Sequence, residues 1–202
     1  MFLDSSFYLA VATFAFITSV TPGPNNMMLL ASGAHFGFVR TIPHILGIVL
    51  GMACLLTSVL AGLGTIFILW PPAHDILKVV GSVYLLWLAW KLGSAPTDEI
   101  SAKDPNHRPM RWWQAVLFQY VNPKAWMMTI GCITSFSIAG DLYVQSGVWI
   151  IILFALMGGP AICLWAWGGM AIRRYLNNPK RRRVFNLLMG LATASTVLLI
   201  IK

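Results

Sequence analysis

Acidic side chains are missing from the middle of every long apolar stretch in this chain. Asp4, Asp75 and Asp141 lie near stretch ends, and Asp98, Glu99 and Asp104 fall in one hydrophilic connection. A transport site for metal ions would need clustered Asp, Glu, His or Cys, and no such cluster is visible. Cysteine is scarce as well. Cys54, Cys132 and Cys163 sit in three different apolar stretches, without a Cys-x-x-Cys pair. Redox or metal chemistry through paired thiols is therefore not expected. A metal-ion exporter and a cysteine-based transmembrane electron carrier stand as the alternatives to the reading below. No ATP-binding motif is present, which argues against direct use of ATP by this chain. No catalytic group and no cofactor are expected.

Charge of either sign is sparse. Only 10% of residues are charged and 58% are hydrophobic, whereas soluble domains carry about 25% charged residues. Such a chain is an integral membrane protein. The net charge of +8 does not point to nucleic acid, because the basic residues stand between apolar stretches rather than on a polar face. No basic residue precedes the first stretch and no A-x-A cleavage site precedes its proline-rich interruption. The first span is thus expected to be retained rather than removed as a secretory signal.

Six stretches are long enough to cross a bilayer, which takes about 20 apolar residues. They run over 6–32, 42–70, 74–92, 112–138, 145–171 and 184–201. Trp70, Trp87, Trp90, Trp112, Trp113 and Trp149 lie near span ends, where interfacial tryptophans collect. The connection 93–111 is expected to be a mobile loop. The connections after spans one, three and five hold 11 Lys and Arg residues against 2 on the opposite side, Lys78 and Lys202. Basic loops stay in the cytoplasm, so both termini are expected outside. The arginine-rich connection 173–183 serves topology first, and anionic lipid is a second partner for it.

Two apolar stretches are broken alike. The first carries Thr21, Pro22, Gly23, Pro24, Asn25 and Asn26, and the fourth carries Asn122, Pro123 and Lys124. Pro22 and Pro123 stand 101 residues apart, half of the 202-residue chain. Proline inside a helix removes a donor and clashes with the preceding turn. In lipid the freed carbonyls need partners, so such breaks persist only beside protein or a watery cavity. Paired breaks in two halves mark the substrate site of many transporters. The expected fold is all-α: a single transporter domain over residues 1–202 with six transmembrane helices. It is expected to form a 3+3 inverted repeat, residues 1–92 and 112–202, joined by loop 93–111, with helices one and four broken.

Lys124 falls well inside its span and has no acidic partner in any other span. A lysine at that depth is costly unless it faces a cavity, snorkels or finds carbonyls. An anionic group of a substrate would also supply the partner. The helix starting beyond Pro24 offers free N–H groups and a partial positive charge suited to a carboxylate, with Asn25 and Asn26 as candidate caps and ligands. His44, at the start of span two, is a candidate proton relay. His35, His74 and His107 fall in connections and are expected to be solvated. Gly47 and Gly51 form a G-x-x-x-G pair, open to packing within the monomer or between subunits of a homo-oligomer. Met157-Gly158-Gly159-Pro160 is expected to break span five.

Several of these stretches together resemble the lysine-exporter (LysE or RhtB) family of bacterial amino-acid exporters. They are Thr21 to Asn26, Gly37-Phe38-Val39-Arg40, the block Tyr84 to Lys91, and Phe118 to Trp126. Within that family the third-span block and the loop after it look most like the cysteine and O-acetylserine exporters. The resemblance covers nearly the whole chain. It implies a bacterial inner-membrane exporter of amino acids or related metabolites, driven by an ion gradient, with the proton as the expected coupling ion. On that reading Lys124 and the helix end at Asn25 and Asn26 receive a substrate carboxylate. Carbonyls freed by Pro22, Pro24 and Pro123 receive its ammonium. The lack of buried acids favours a neutral amino acid over lysine or arginine.

Overall fold

The computed structural model describes residues 3–95, 97, 108–176 and 178–201. Residues 96 and 98–107, the heart of the expected mobile loop and the site of Lys103 and His107, lie outside the described residues. The described residues form helices α1 Ser5–Val20, α2 Pro24–Phe36, α3 Phe38–Leu60, α4 Ile66–Leu69, α5 Pro72–Gly93, α6 Trp112–Val121, α7 Pro123–Phe136, α8 Tyr143–Leu153, α9 Gly159–Ile172 and α10 Pro179–Ile201. Asp4 caps α1 by accepting from the Phe7 amide at 2.9 Å. That bond, with the Ser6 hydroxyl, holds the Asp4 carboxyl below the ordinary carboxylate range.

Span one is the bent pair α1 and α2, which meet at 61°. Span four is divided at Asn122 into α6 and α7. Among the described residues α3, α5 and a continuous helical run from Gly140 to Tyr175 are each long and apolar enough to cross a membrane, and α1 with α2 qualifies as a bent pair. Two sequence expectations need correction. Span two does not run to residue 70: α3 ends at Leu60, and Gly62, at φ 100°, takes a left-handed conformation that stops the helix. Span five is not broken at Pro160. A π-helical turn over Phe154–Gly158 absorbs the missing proline donor and carries α8 directly into α9.

Three long pairings build the body: α2 along α9, α3 along α6, and α5 along α10. Small residues set their closeness. A Cβ on Gly33 would overlap the Ala166 carbonyl, and one on Gly169 the Leu30 carbonyl. The Gly47 and Gly51 pair is used within the chain, facing Trp112, Ala115 and Val116 of α6. Large apolar side chains such as Leu46, Val83, Leu117, Met127, Leu164 and Leu191 point outward, the pattern of a surface solvated by lipid rather than water.

The connections fall at two ends. At one end His35 bonds Asn186 at 2.9 Å, Asn186 donates to the Ala95 carbonyl at 3.0 Å, and Arg182 reaches the Thr97 carbonyl at 3.3 Å. Those contacts gather the three basic connections. At the other end Tyr143 donates to the Leu60 carbonyl at 2.8 Å, and Tyr8 meets Trp149 edge to face.

Candidate functional site

The first break follows from missing amides. Pro22 cannot bond the Thr18 carbonyl and Pro24 cannot bond the Val20 carbonyl, so α1 stops at Val20. Gly23 runs fully extended, with φ −178°, and α2 restarts at Pro24. The freed carbonyls find side chains. Asn26 donates to the Ser19 carbonyl at 2.9 Å and the Thr21 carbonyl at 2.8 Å. Trp165 of α9 donates to the Val20 carbonyl at 3.1 Å. Lys124 of α7 donates its ammonium to the Thr21 carbonyl at 2.5 Å and the Pro22 carbonyl at 3.3 Å. The sequence left Lys124 without a partner in the protein; the broken backbone of the other half supplies two.

The second break is narrower. Pro123 cannot bond the Gln119 carbonyl, which instead accepts from the Asn122 amide at 3.3 Å. Asn122 caps α7 by accepting from the Lys124 amide at 3.2 Å. Trp126 donates to the Tyr120 carbonyl at 2.8 Å and ties α7 back to α6.

All nine substrate-site candidates therefore come together, although Asn25 and Asn26 do not cap α2. The cap position is Gly23, which has no side chain to offer. Asn26 turns back to α1, and Asn25 crosses to α6 and donates to Gln119 at 2.9 Å. Gln119 is fully buried and was missed in the sequence. Its signal was there: a polar residue in an apolar stretch, three places before Asn122. Between the breaks lies a cavity of about 40 Å³ lined by Gly23, Asn25, Asn26, Asn122 and Lys124 among others. That volume has room for a few water molecules and not for an intact amino acid.

His44 is elsewhere. It is fully buried in α3, with neither ring nitrogen hydrogen-bonded, a state that costs about 1–3 kcal/mol for each orphaned polar group. It lines a larger chamber of about 450 Å³ between the ends of α2 and α5 and the starts of α3 and α6, at the end where the basic connections gather. The three cysteines lie apart on α3, α7 and α9, and none is paired. Among the described residues no three His, Cys, Asp or Glu side chains meet.

The chain is 28% identical over 179 residues to the cysteine/O-acetylserine efflux protein of Salmonella typhimurium, a match covering 89% of each. It is 28% identical over 163 residues to the protein of the same name from Escherichia coli O1:K1, covering 80% of this chain and 82% of the relative. No solved structure matches. A LysE type translocator domain is recognised from residue 16 to residue 199, a stretch that takes in both breaks, the lysine that joins them and the chamber beside His44; the chain belongs to the LysE type translocator family.

Proposed function

We propose that this protein is a secondary transporter that exports small zwitterionic, amino-acid-like metabolites across the bacterial inner membrane, driven by the proton gradient. Compounds of the kind named for its relatives, cysteine and O-acetylserine, fit a site that has one cation and no acid. The observation that carries the reading is the Lys124 ammonium on the Thr21 and Pro22 carbonyls. That pairing is an internal copy of what a zwitterion needs. A substrate ammonium can take the carbonyls while the released Lys124 takes the substrate carboxylate, so an ammonium–carbonyl contact is kept and an ion pair is added without leaving a charge alone. The uncapped start of α2 adds its partial positive charge on the carboxylate side. His44 is the proton relay of this scheme, an imidazole in the wall of the chamber at the end where the basic connections gather. The reading assigns no catalytic step to the chain.

The transport unit is six spans arranged as inverted repeats over 1–92 and 112–202, with both termini outside. The helix pairings support the repeat, though not the side on which the termini lie: α3 packs on α6 while α8 and α9 pack on α1, and α2 packs on α9 while α7 packs on α3. Each statement turns into the other when the halves are exchanged. The test is efflux of labelled L-cysteine from loaded proteoliposomes, with and without a pH gradient. Lys124→Met is expected to lower efflux at least tenfold while the protein remains folded in detergent. Wild-type efflux from that variant would reduce Lys124 to a prop for the break.

A further inference from the structure

The 450 Å³ chamber is a second cavity, separate from the helix breaks, with an apolar wall and a few polar groups, and the scheme above uses only one of its residues. Its size is that of a small-molecule pocket. Among the described residues its charged lining is one-sided: Lys91 and Arg108 are cations, Ser32, Tyr84, Ser94 and Gln114 are neutral, and no acidic side chain contributes. Lys91 is held in place, its ammonium 5.2 Å from the centre of the Trp87 ring. Low-dielectric walls around one sign of charge concentrate ligands of the other sign. On the inner side His44 has two ring nitrogens without a partner. The titratable or charged groups that line the chamber with it are His35, Tyr84, Lys91 and Arg108. His35 is engaged with Asn186, and none of the four is a carboxylate that could complete the imidazole.

We infer that this chamber is a loading site for a small α-amino acid, occupied before the molecule reaches the broken helices, with Lys91 and Arg108 on its carboxylate and the buried His44 ring turning a nitrogen out of the inner wall to accept from its ammonium. The ligand class rests on the export reading, and the site does not. An exporter must collect substrate on the cytoplasmic side, and the chamber opens at the end where the basic connections meet. The 40 Å³ cavity at the breaks is too small for an intact amino acid in this conformation, whereas the chamber has room for one.

Equilibrium binding of labelled L-cysteine to the full chain in lipid nanodiscs, under reducing conditions, tests this. Lys91→Gln combined with Arg108→Gln is expected to weaken binding at least tenfold, and both side chains lie at the surface, so folding is kept. His44→Gln is expected to weaken it severalfold. Cysteamine, which has the ammonium and thiol but no carboxylate, is expected to bind at least tenfold more weakly than cysteine to the wild type and to ignore the rim substitutions. Lys124→Met, inactive in export, is expected to bind within twofold of wild type. Unchanged binding in the double rim variant overturns the proposal whatever Lys124 does, and so does absence of millimolar binding to the wild type. Binding abolished by Lys124→Met places the occupied site at the breaks and overturns it too. Normal export from Lys124→Met alongside rim-dependent binding sinks the broken-helix reading and leaves the chamber standing.

Discussion

The two helix breaks use one device and satisfy it differently. At Asn122 the break repairs itself: a single residue leaves the helix, its own side chain caps α7, and the Gln119 carbonyl stays bonded within the turn. At Thr21 to Gly23 the break is wide, and donors come from three helices, Asn26 on α2, Lys124 on α7 and Trp165 on α9. A self-capped break is a platform, because its backbone needs nothing from elsewhere. A break held by borrowed donors is an acceptor surface, because each donor can be replaced by a ligand of like chemistry. The lysine of the platform occupies the acceptor, so the two halves of the site are complementary rather than equivalent.

The largest expected stability effect tests the borrowed donors. Asn26→Leu keeps the branched shape of the side chain, with added bulk, and removes both bonds to the Ser19 and Thr21 carbonyls at a residue that is 3% exposed. Lys124 still serves Thr21, but the Ser19 carbonyl loses the donor that Asn26 gave it. Losing two bonds and orphaning a carbonyl costs about 3 kcal/mol, read as a clear fall in unfolding temperature in detergent. Asn122→Ala at the other break removes one cap and costs about 1 kcal/mol. The contrast sharpens with Asn122→Ser, which restores a capping oxygen and is expected to recover most of that loss. Equal destabilisation by Asn26→Leu and Asn122→Ala would show that the breaks are held alike.

Much of this was legible in the sequence, and the residues say why. Two prolines and a glycine at positions 22 to 24 cannot lie within a regular helix, so the first break could be read without any partner. Pro123 after Asn122 spelled out a cap followed by a first helical turn. That Lys124 could bond carbonyls of a broken helix was one of the readings its depth allowed, but which carbonyls was not legible, because every residue has one. Gln119 and Trp165 serve residues 94 and 145 positions away; Gln119 stood out as a polar residue in an apolar stretch, but nothing local named either partner. The chamber was beyond reach because α2, α3, α5 and the start of α6 each give it only a few residues. Pro160 misled in the opposite direction. A proline preceded by two glycines reads as a break, yet one π-helical turn accommodates it while the chain stays helical.

The smallest expected stability effect falls where the two breaks touch. Gly23 is extended, at φ −178° and ψ 177°, a conformation open to any residue, so Gly23→Ala introduces no backbone strain. Its new Cβ would lie 2.7 Å from Lys124 Cδ and 3.0 Å from Nζ. Those atoms are the far end of a flexible side chain, and they can move aside while α2 and α7 stay where they are. The unfolding temperature is therefore expected to change little, because flexible side-chain atoms rather than backbone give way. The ammonium, however, cannot keep its place on the Thr21 and Pro22 carbonyls once its stem is displaced. If the exchange of Lys124 for a substrate ammonium underlies export, Gly23→Ala lowers efflux of labelled L-cysteine severalfold with the fold intact. Gly23→Ser, similar in bulk near the backbone but carrying a hydroxyl that can donate to a neighbouring carbonyl, is expected to fall between alanine and wild type. Unchanged efflux in Gly23→Ala would mean that the lysine merely props two helix ends together. The difference between an acceptor break and a platform break would then be one of architecture, without consequence for transport.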